Sequence, residues 1–317
     1  MFVCFELCKF GKYLKKLRES LGHSLEDVKH LSNISTATLK KIEAGRVLPR
    51  FDTLEYLSIA YKKDLLEDLK NYRYSSVFFH YYLRLDSLII EYDLEVLKNL
   101  EKDFNKFSQS HKKANLLLES SLQKQFNLLL KGISIYYSST PTGSLNCFID
   151  AMNKSNPLFH LSNFRSFKYS CLELRILLLI SLALVEFNRL TDSNSILKEC
   201  LAQSNFDEQA TFNEKLLILK TYLNLSYNFH LLDFHRDALS YAQQGIDFCN
   251  KHHISYALAA LLARKGTAEY LLNMPNYKTT LNKAVTLLSI TNKKDLAHRY
   301  IKIALESYGI ILDVNII

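Results

Sequence analysis

The sequence predicts an all-α chain in two parts: a compact five-helix N-terminal domain and a long right-handed array of helical hairpins. Three observations carry that reading. Glycine and proline are scarce, eight and four in 317 residues, which favours long helices with short polar links over a strand-rich fold. Apolar residues recur with helical spacing along most of the chain. Beyond residue 76 polar links part the pattern into paired helices, and the second helices of successive pairs recur at steps of roughly 40–50 residues, the range of helical-hairpin repeats. The chain is 48% hydrophobic, with nineteen Tyr, nineteen Phe and no Trp, which is ample for two cores. Its length favours two domains, and the polar stretch 71–76 sets the expected boundary, giving domains 1–71 and 72–317.

The first part reads as five short helices. Helix 1 is expected from Phe10 to Leu21, with Tyr13, Leu14, Leu17 and Leu21 on one face and Gly22 ending it. Ser24 caps helix 2, and Asp27 three residues on resembles a capping box. Val28 and Leu31 are expected to face inward. Ser32-Asn33-Ile34-Ser35 is a tight polar turn, and Ser35 caps helix 3. Leu39 and Ile42 are its core positions, and Gly45 stops it. Helix 4 is expected to start at Asp52 or Thr53, with Leu54, Leu57 and Ala60 inward, and Leu65–Leu69 suggests a fifth helix.

In the second part, the second helix of successive pairs is expected to begin near 95, 144, 193, 236 and 279. Among the links are 93, 108–111, 138–143, 191–195 and 203–208. The clearest unit is 222–248. Tyr222, Leu225 and Phe229 suit the inner face of a first helix, and the small residues Ala238, Ala242 and Gly245 let a second helix approach closely. The apolar run Ile176–Val185 is too short to span a bilayer and reads as a buried helix. The tail from Tyr308 to Ile317 reads either as a last core helix or as a dimerisation surface.

Charge is concentrated at the front. Between Lys9 and Arg50 ten Lys/Arg face four acids, which accounts for +6 of the chain's net +8. A basic footprint on a helix-turn-helix layout is the electrostatic signature of a nucleic-acid reader. The six cysteines form no CxxC pair, so neither a disulfide framework nor a metal is expected, and a reducing cytoplasm fits. The N-terminus has no basic region ahead of its short apolar stretch and does not read as a signal peptide. No phosphate-binding loop, nucleophile elbow or HExxH is present. No catalytic residue, cofactor or membrane association is expected.

Residues 14–61 resemble the Cro/repressor-type (XRE-like) helix-turn-helix. The landmarks are Leu17-Arg18, Gly22, Ser24, Glu26, Val28, Ile34-Ser35, Leu39, Ile42-Glu43, Gly45, Pro49 and Thr53-Leu54. Two positions depart from the pattern. Leu25 stands where helix 2 often opens with Gln, and Asn33 stands where a turn Gly is usual. Residues 222–248 resemble a tetratricopeptide repeat. Together these features make the chain similar to the RRNPP-type peptide-sensing regulators.

For the first part the helix-turn-helix layout implies binding of a double-stranded DNA operator. Thr36, Ala37 and Lys41 are the expected base-facing residues, with Thr38 beside them. Lys40 and the cap residues Ser24 and Ser35 are expected towards the DNA backbone, and Arg46 and Arg50 near the backbone or the edge of the minor groove. Arg18 and Glu43 are expected to form a structural ion pair. One such domain reads a half-site, so a homodimer is expected, with half-sites about 34 Å apart. For the second part the resemblance implies a short linear signalling peptide, with Lys220, Asn224, Tyr227 and Asn228 on the surface that receives it; Lys220 could meet a C-terminal carboxylate, and Arg264, Lys265, Arg175 and Asn188 are further candidates. Asn224 and Asn228 lie one turn apart and would share a face. The open alternative is constitutive DNA binding, with the repeats serving as a protein–protein scaffold.

Overall fold

The computed structural model of the protein describes residues 5–72, 81, 84, 85, 94–110, 117–138, 141–204 and 210–313. Fifteen α-helices lie among them: α1 Leu7–Ser20, α2 Leu25–Ser32, α3 Thr36–Glu43, α4 Phe51–Tyr61, α5 Leu65–Lys70, α6 Leu94–Ser110, α7 Leu117–Tyr137, α8 Pro141–Met152, α9 Cys171–Glu186, α10 Leu190–Gln203, α11 Phe212–Leu231, α12 His235–His252, α13 Leu258–Leu271, α14 Tyr277–Ile290 and α15 Lys294–Tyr308. The chain divides into two compact units, Met1–Val96 and Leu97–Ile317. The expected links at 73–76, 93, 111, 139–140 and 205–208 lie outside the described residues.

In the first unit, side-chain caps set the helix starts. Ser24 Oγ accepts the Asp27 N–H while Asp27 Oδ2 accepts the Ser24 N–H at 2.7 Å, a complete capping box. Hydrogen bonds from the Ser24 side chain and backbone to the carboxylate favour its ionised form and hold the Asp27 pKa below its ordinary value. Asn33 ends α2 in the left-handed region, at φ 57°, which an Asn tolerates. Phe10, Leu14, Val28, Leu39, Ile42, Leu54, Leu57, Ala60, Tyr61, Leu65 and Leu69 make one buried core. Tyr72 belongs to this unit as well: its ring lies 5.2 Å from Phe10 and 5.6 Å from Tyr13, and its carbonyl accepts the Glu6 N–H.

Two expectations about faces are corrected. Leu31 is exposed, and Ser32 is the residue that turns inward; its hydroxyl donates to the Val28 carbonyl at 2.6 Å and needs no outside partner. Leu21 lies beyond the end of α1 and is also exposed. Helix α4 starts at Phe51, one residue ahead of the expected range.

Helix α1 crosses the C-terminal end of α3 at backbone contact. A Cβ on Gly11 would stand 2.4 Å from the Glu43 carbonyl oxygen and 2.5 Å from that of Ile42. Gly45 closes α3 at φ 67°, and a Cβ there would meet the Cys8 backbone at 2.6 Å. Gly11→Ala is therefore expected to destabilise the first unit by about 1–3 kcal/mol through overpacking against backbone that cannot rotate away. Thermal denaturation of the full chain checks this; an unchanged first transition would show that α1 and α3 can separate freely.

The second unit is a run of antiparallel pairs, α7/α8, α9/α10, α11/α12 and α13/α14, preceded by α6 and closed by α15. The second helices of these four pairs start at 141, 190, 235 and 277, each within three residues of the expected value, and α6 starts at 94, one residue from the expected 95. An Asn or Asp in the left-handed region turns most corners: Asn188, Asp233, Asn273 and Asn292 have φ of 55–60°. The expected link at 191–195 is helical; the turn sits at 187–189, ahead of α10. Helix α9, which carries the Ile176–Val185 run, is buried nearly all round, as a core helix is. Among the described residues no helix is long and apolar enough to cross a membrane. The chain leaves helix at Tyr308, with Gly309 as a left-handed cap, so 309–313 is not the continuation of a core helix. Ile310 is buried there against Leu281 and Ala304. Residues 314–317 lie outside the described set.

Candidate functional site

Helix α3 buries Leu39 and Ile42 and turns Ala37, Lys40, Lys41 and Ala44 outward on one exposed face. Thr36 is half-buried. Ser35 Oγ accepts the Thr38 N–H at 3.1 Å and lies 2.9 Å from Thr38 Oγ1, so Ser35 and Thr38 spend these groups on the cap. Arg46 and Arg50 follow the helix and are exposed, and Ser24 is exposed at the start of α2. Leu25 is half-buried and packs against the core, which explains an apolar residue at that position.

The cations of this unit divide into two groups. Lys9, Lys15, Lys29, Lys63 and Lys70 each meet a nearby carboxylate: Glu6, Glu19, Glu26, Asp68 and Glu67. Lys40, Lys41, Arg46 and Arg50 meet none among the described residues. Lys12, Lys16 and Lys62 likewise meet no carboxylate, so α3 and the loop after it carry four of the seven uncompensated cations among the described residues of this unit. Ala37 and Ala44 stand on either side of the two lysines on that face.

Behind that face lies the Arg18–Glu43 pair. Arg18 Nε donates to Glu43 Oε1 at 2.7 Å and Nη2 to Oε2 at 3.0 Å, with the two side chains only 10% and 9% exposed. Nη1 donates to the His23 carbonyl at 3.0 Å. The Glu43 hydrogen bonds raise the Arg18 pKa above its ordinary value. Burial, with Glu43 nearby, raises the Tyr61 phenol as well.

In the second unit the expected peptide-facing residues separate. Asn228 is buried, and its amide donates to Ser193 Oγ at 2.8 Å, so it joins α11 to α10 and presents nothing to a ligand. Lys220 is buried as well, with Nζ 5.7 Å from the Tyr256 ring centroid. Asn224 is half-buried and donates to the Lys220 carbonyl at 2.8 Å. Tyr227 is half-buried beneath the Arg264 guanidinium, 4.3 Å from its ring centroid. Asn224 and Asn228 thus do not share an open face. Sequence reasoning missed His230, whose Nε2 is 3.0 Å from the Tyr308 hydroxyl. Burial first, then Arg264 and His235, lower the His230 pKa against a smaller opposing effect from Asp233.

Residues 9–65 match the family described as "Helix-turn-helix domain". No curated protein matches the chain. Among solved structures the chain is similar to PlcR of Bacillus thuringiensis in complex with the peptide PapR7 and DNA. The TM-score is 0.67 at 15% identity, over 93% of this chain and 99% of that one. The chain shares that fold. The same fold is seen in the SHP pheromone receptor Rgg2 of Streptococcus dysgalactiae, with TM-score 0.59 and 15% identity over 92% and 97% of the two chains. It is seen again in ComR of S. thermophilus in complex with DNA and its signalling peptide ComS, with TM-score 0.59 and 15% identity over 95% and 100%. The shared fold covers both halves, a helix-turn-helix unit and a helical repeat unit in one chain.

Proposed function

We propose that this protein is a sequence-specific regulator of transcription that binds a double-stranded DNA operator as a homodimer. In this reading a short linear signalling peptide, held by the repeat unit, controls DNA binding. The observation that carries the DNA half is the exposed face of α3, where Lys40 and Lys41 lie between Ala37 and Ala44 and continue into Arg46 and Arg50, while the one carboxylate of this stretch, Glu43, is taken up by Arg18. The peptide half is supported by the shared fold, two of whose solved examples hold both peptide and DNA. A ligand with different affinities for two arrangements of the chain shifts the balance between them, which is sufficient for control.

The test is fluorescence anisotropy of the purified full chain on the DNA upstream of its own coding region, with scrambled DNA as competitor. It is run with and without synthetic peptides encoded beside that region. The expected result is salt-dependent, sequence-selective binding whose midpoint a peptide moves. Selective binding that no peptide moves would favour constitutive DNA binding with the repeats as a scaffold. Loss of selectivity over scrambled DNA would overturn the regulator reading.

A further inference from the structure

Helices α11, α13 and α15 bring basic and phenolic side chains to one place. The Arg264 guanidinium of α13 lies over the Tyr227 ring of α11. Tyr300 and Tyr308 of α15 also act on it. His230, less than one turn beyond Tyr227, meets the Tyr308 hydroxyl through Nε2. The Tyr270 hydroxyl of α13 donates to the Tyr308 carbonyl at 2.9 Å, which fixes the end of α15 beside the cluster. Arg264 keeps part of its surface in solvent yet lies deep among neighbouring atoms.

Arg264 makes no hydrogen bond and no ion pair with any described residue. Elsewhere the enclosed cations have partners: Arg18 has Glu43, and Lys265 has Gln243 at 2.7 Å and Glu269 at 3.7 Å. The ionisable groups acting on Arg264 are tyrosines, with no carboxylate among them. Stacking on Tyr227 satisfies one face of the guanidinium and leaves the five in-plane N–H donors unused. A second unfilled group lies alongside, because His230 Nδ1 is buried without a hydrogen-bond partner. Keeping a cation in such a place is costly unless a counter-charge arrives. A carboxylate is the group that matches a guanidinium fork.

We propose that Arg264, framed by Tyr227, His230 and Tyr308, is the seat of a peptide carboxylate, supplied by the C-terminus or by an acidic side chain. The site rests on the peptide-binding reading above and deepens it. It places the anchoring cation on α13, where the sequence pattern had placed it at Lys220 on α11. Recognition is by charge and planarity: the carboxylate takes two guanidinium donors, and the phenols and the imidazole line its surroundings.

The test uses the immobilised full chain and three synthetic octapeptide libraries, with retained peptides identified by mass spectrometry. The first has a free C-terminus and no Asp or Glu. The second is C-terminally amidated and has no Asp or Glu. The third is amidated and contains both. Retention from the first library assigns the C-terminal carboxylate, retention from the third an acidic side chain, and the second is expected to be empty. Arg264→Gln should lower retention by roughly tenfold or more, the worth of a charge-assisted hydrogen bond. Arg264→Lys, which keeps the charge without the fork, guards against misfolding and should fall between the two. Equal retention from the second library, or unchanged retention in both variants, would overturn the site and leave peptide binding standing. Retention from no library would overturn both.

Discussion

Arg18→Ala is expected to destabilise the first unit by about 3–5 kcal/mol, the cost of leaving a buried charge without its partner. A domain of this size holds roughly 3–10 kcal/mol in all. The variant head should therefore be largely unfolded at 37 °C in an otherwise folded chain. The magnitude follows from geometry. One guanidinium on α1 makes two short bonds to the carboxylate that ends α3 and a third to the His23 carbonyl in the turn before α2. Its removal strands Glu43, 9% exposed, against the core near Tyr61. Hydrogen–deuterium exchange of α3 in the full chain reads the effect, and exchange like the parent's would refute it. The paired substitution Arg18→Met with Glu43→Leu separates stability from placement. Removing both charges should restore stability, because an apolar pair of similar volume is often no worse than a buried ion pair. If the fork also aims α3, DNA affinity will stay low in that stable double variant.

The sequence carried some parts of this structure better than others. Hairpin starts were legible because most corners combine a break in apolar spacing with an Asn or Asp able to take positive φ, as at Asp233 and Asn273. The caps at Ser24 and Ser35 were legible because capping is local chemistry between residues three apart. Phase was harder in short or fully buried helices. Helix α2 has eight residues, and both Leu31 and Ser32 fall near its inner arc. Apolarity favours Leu31, but the hydroxyl of Ser32 folds back onto its own helix and fits. Helix α11 is buried on most of its surface, so apolar spacing carries little information about which side is open. That is why Lys220 and Asn228 were expected on a ligand-facing surface and are packed between helices. Gly11 was missed for a different reason. A glycine inside a helix signals close approach only once the element it approaches is known, and α3 lies some thirty residues away.

The charge on α3 leads to the second large effect. Replacing Lys40, Arg46 and Arg50 together by Ala should lower the slope of log affinity against log salt by about 3, roughly one for each cation withdrawn from a phosphate. Operator and scrambled DNA should weaken alike, since phosphate contacts carry register and no sequence. Lys41→Ala should behave differently. It lies on the exposed face beside Ala37, and if it reads a base edge as proposed, its removal should cost about 1–3 kcal/mol of discrimination between operator and scrambled DNA. Lys29→Ala is the control that gives the comparison force. It removes the same formal charge from the same unit, but Glu26 already meets that ammonium at 2.9 Å. If net charge alone drew the protein to DNA, Lys29 would matter as much as Lys40. If the unpaired face of α3 does the binding, the Lys29 variant keeps the parent slope while the triple variant does not. A slope that fell equally in both would move the DNA-binding surface off α3, and with it the reading of Thr36, Ala37 and Lys41 as the residues that choose the operator.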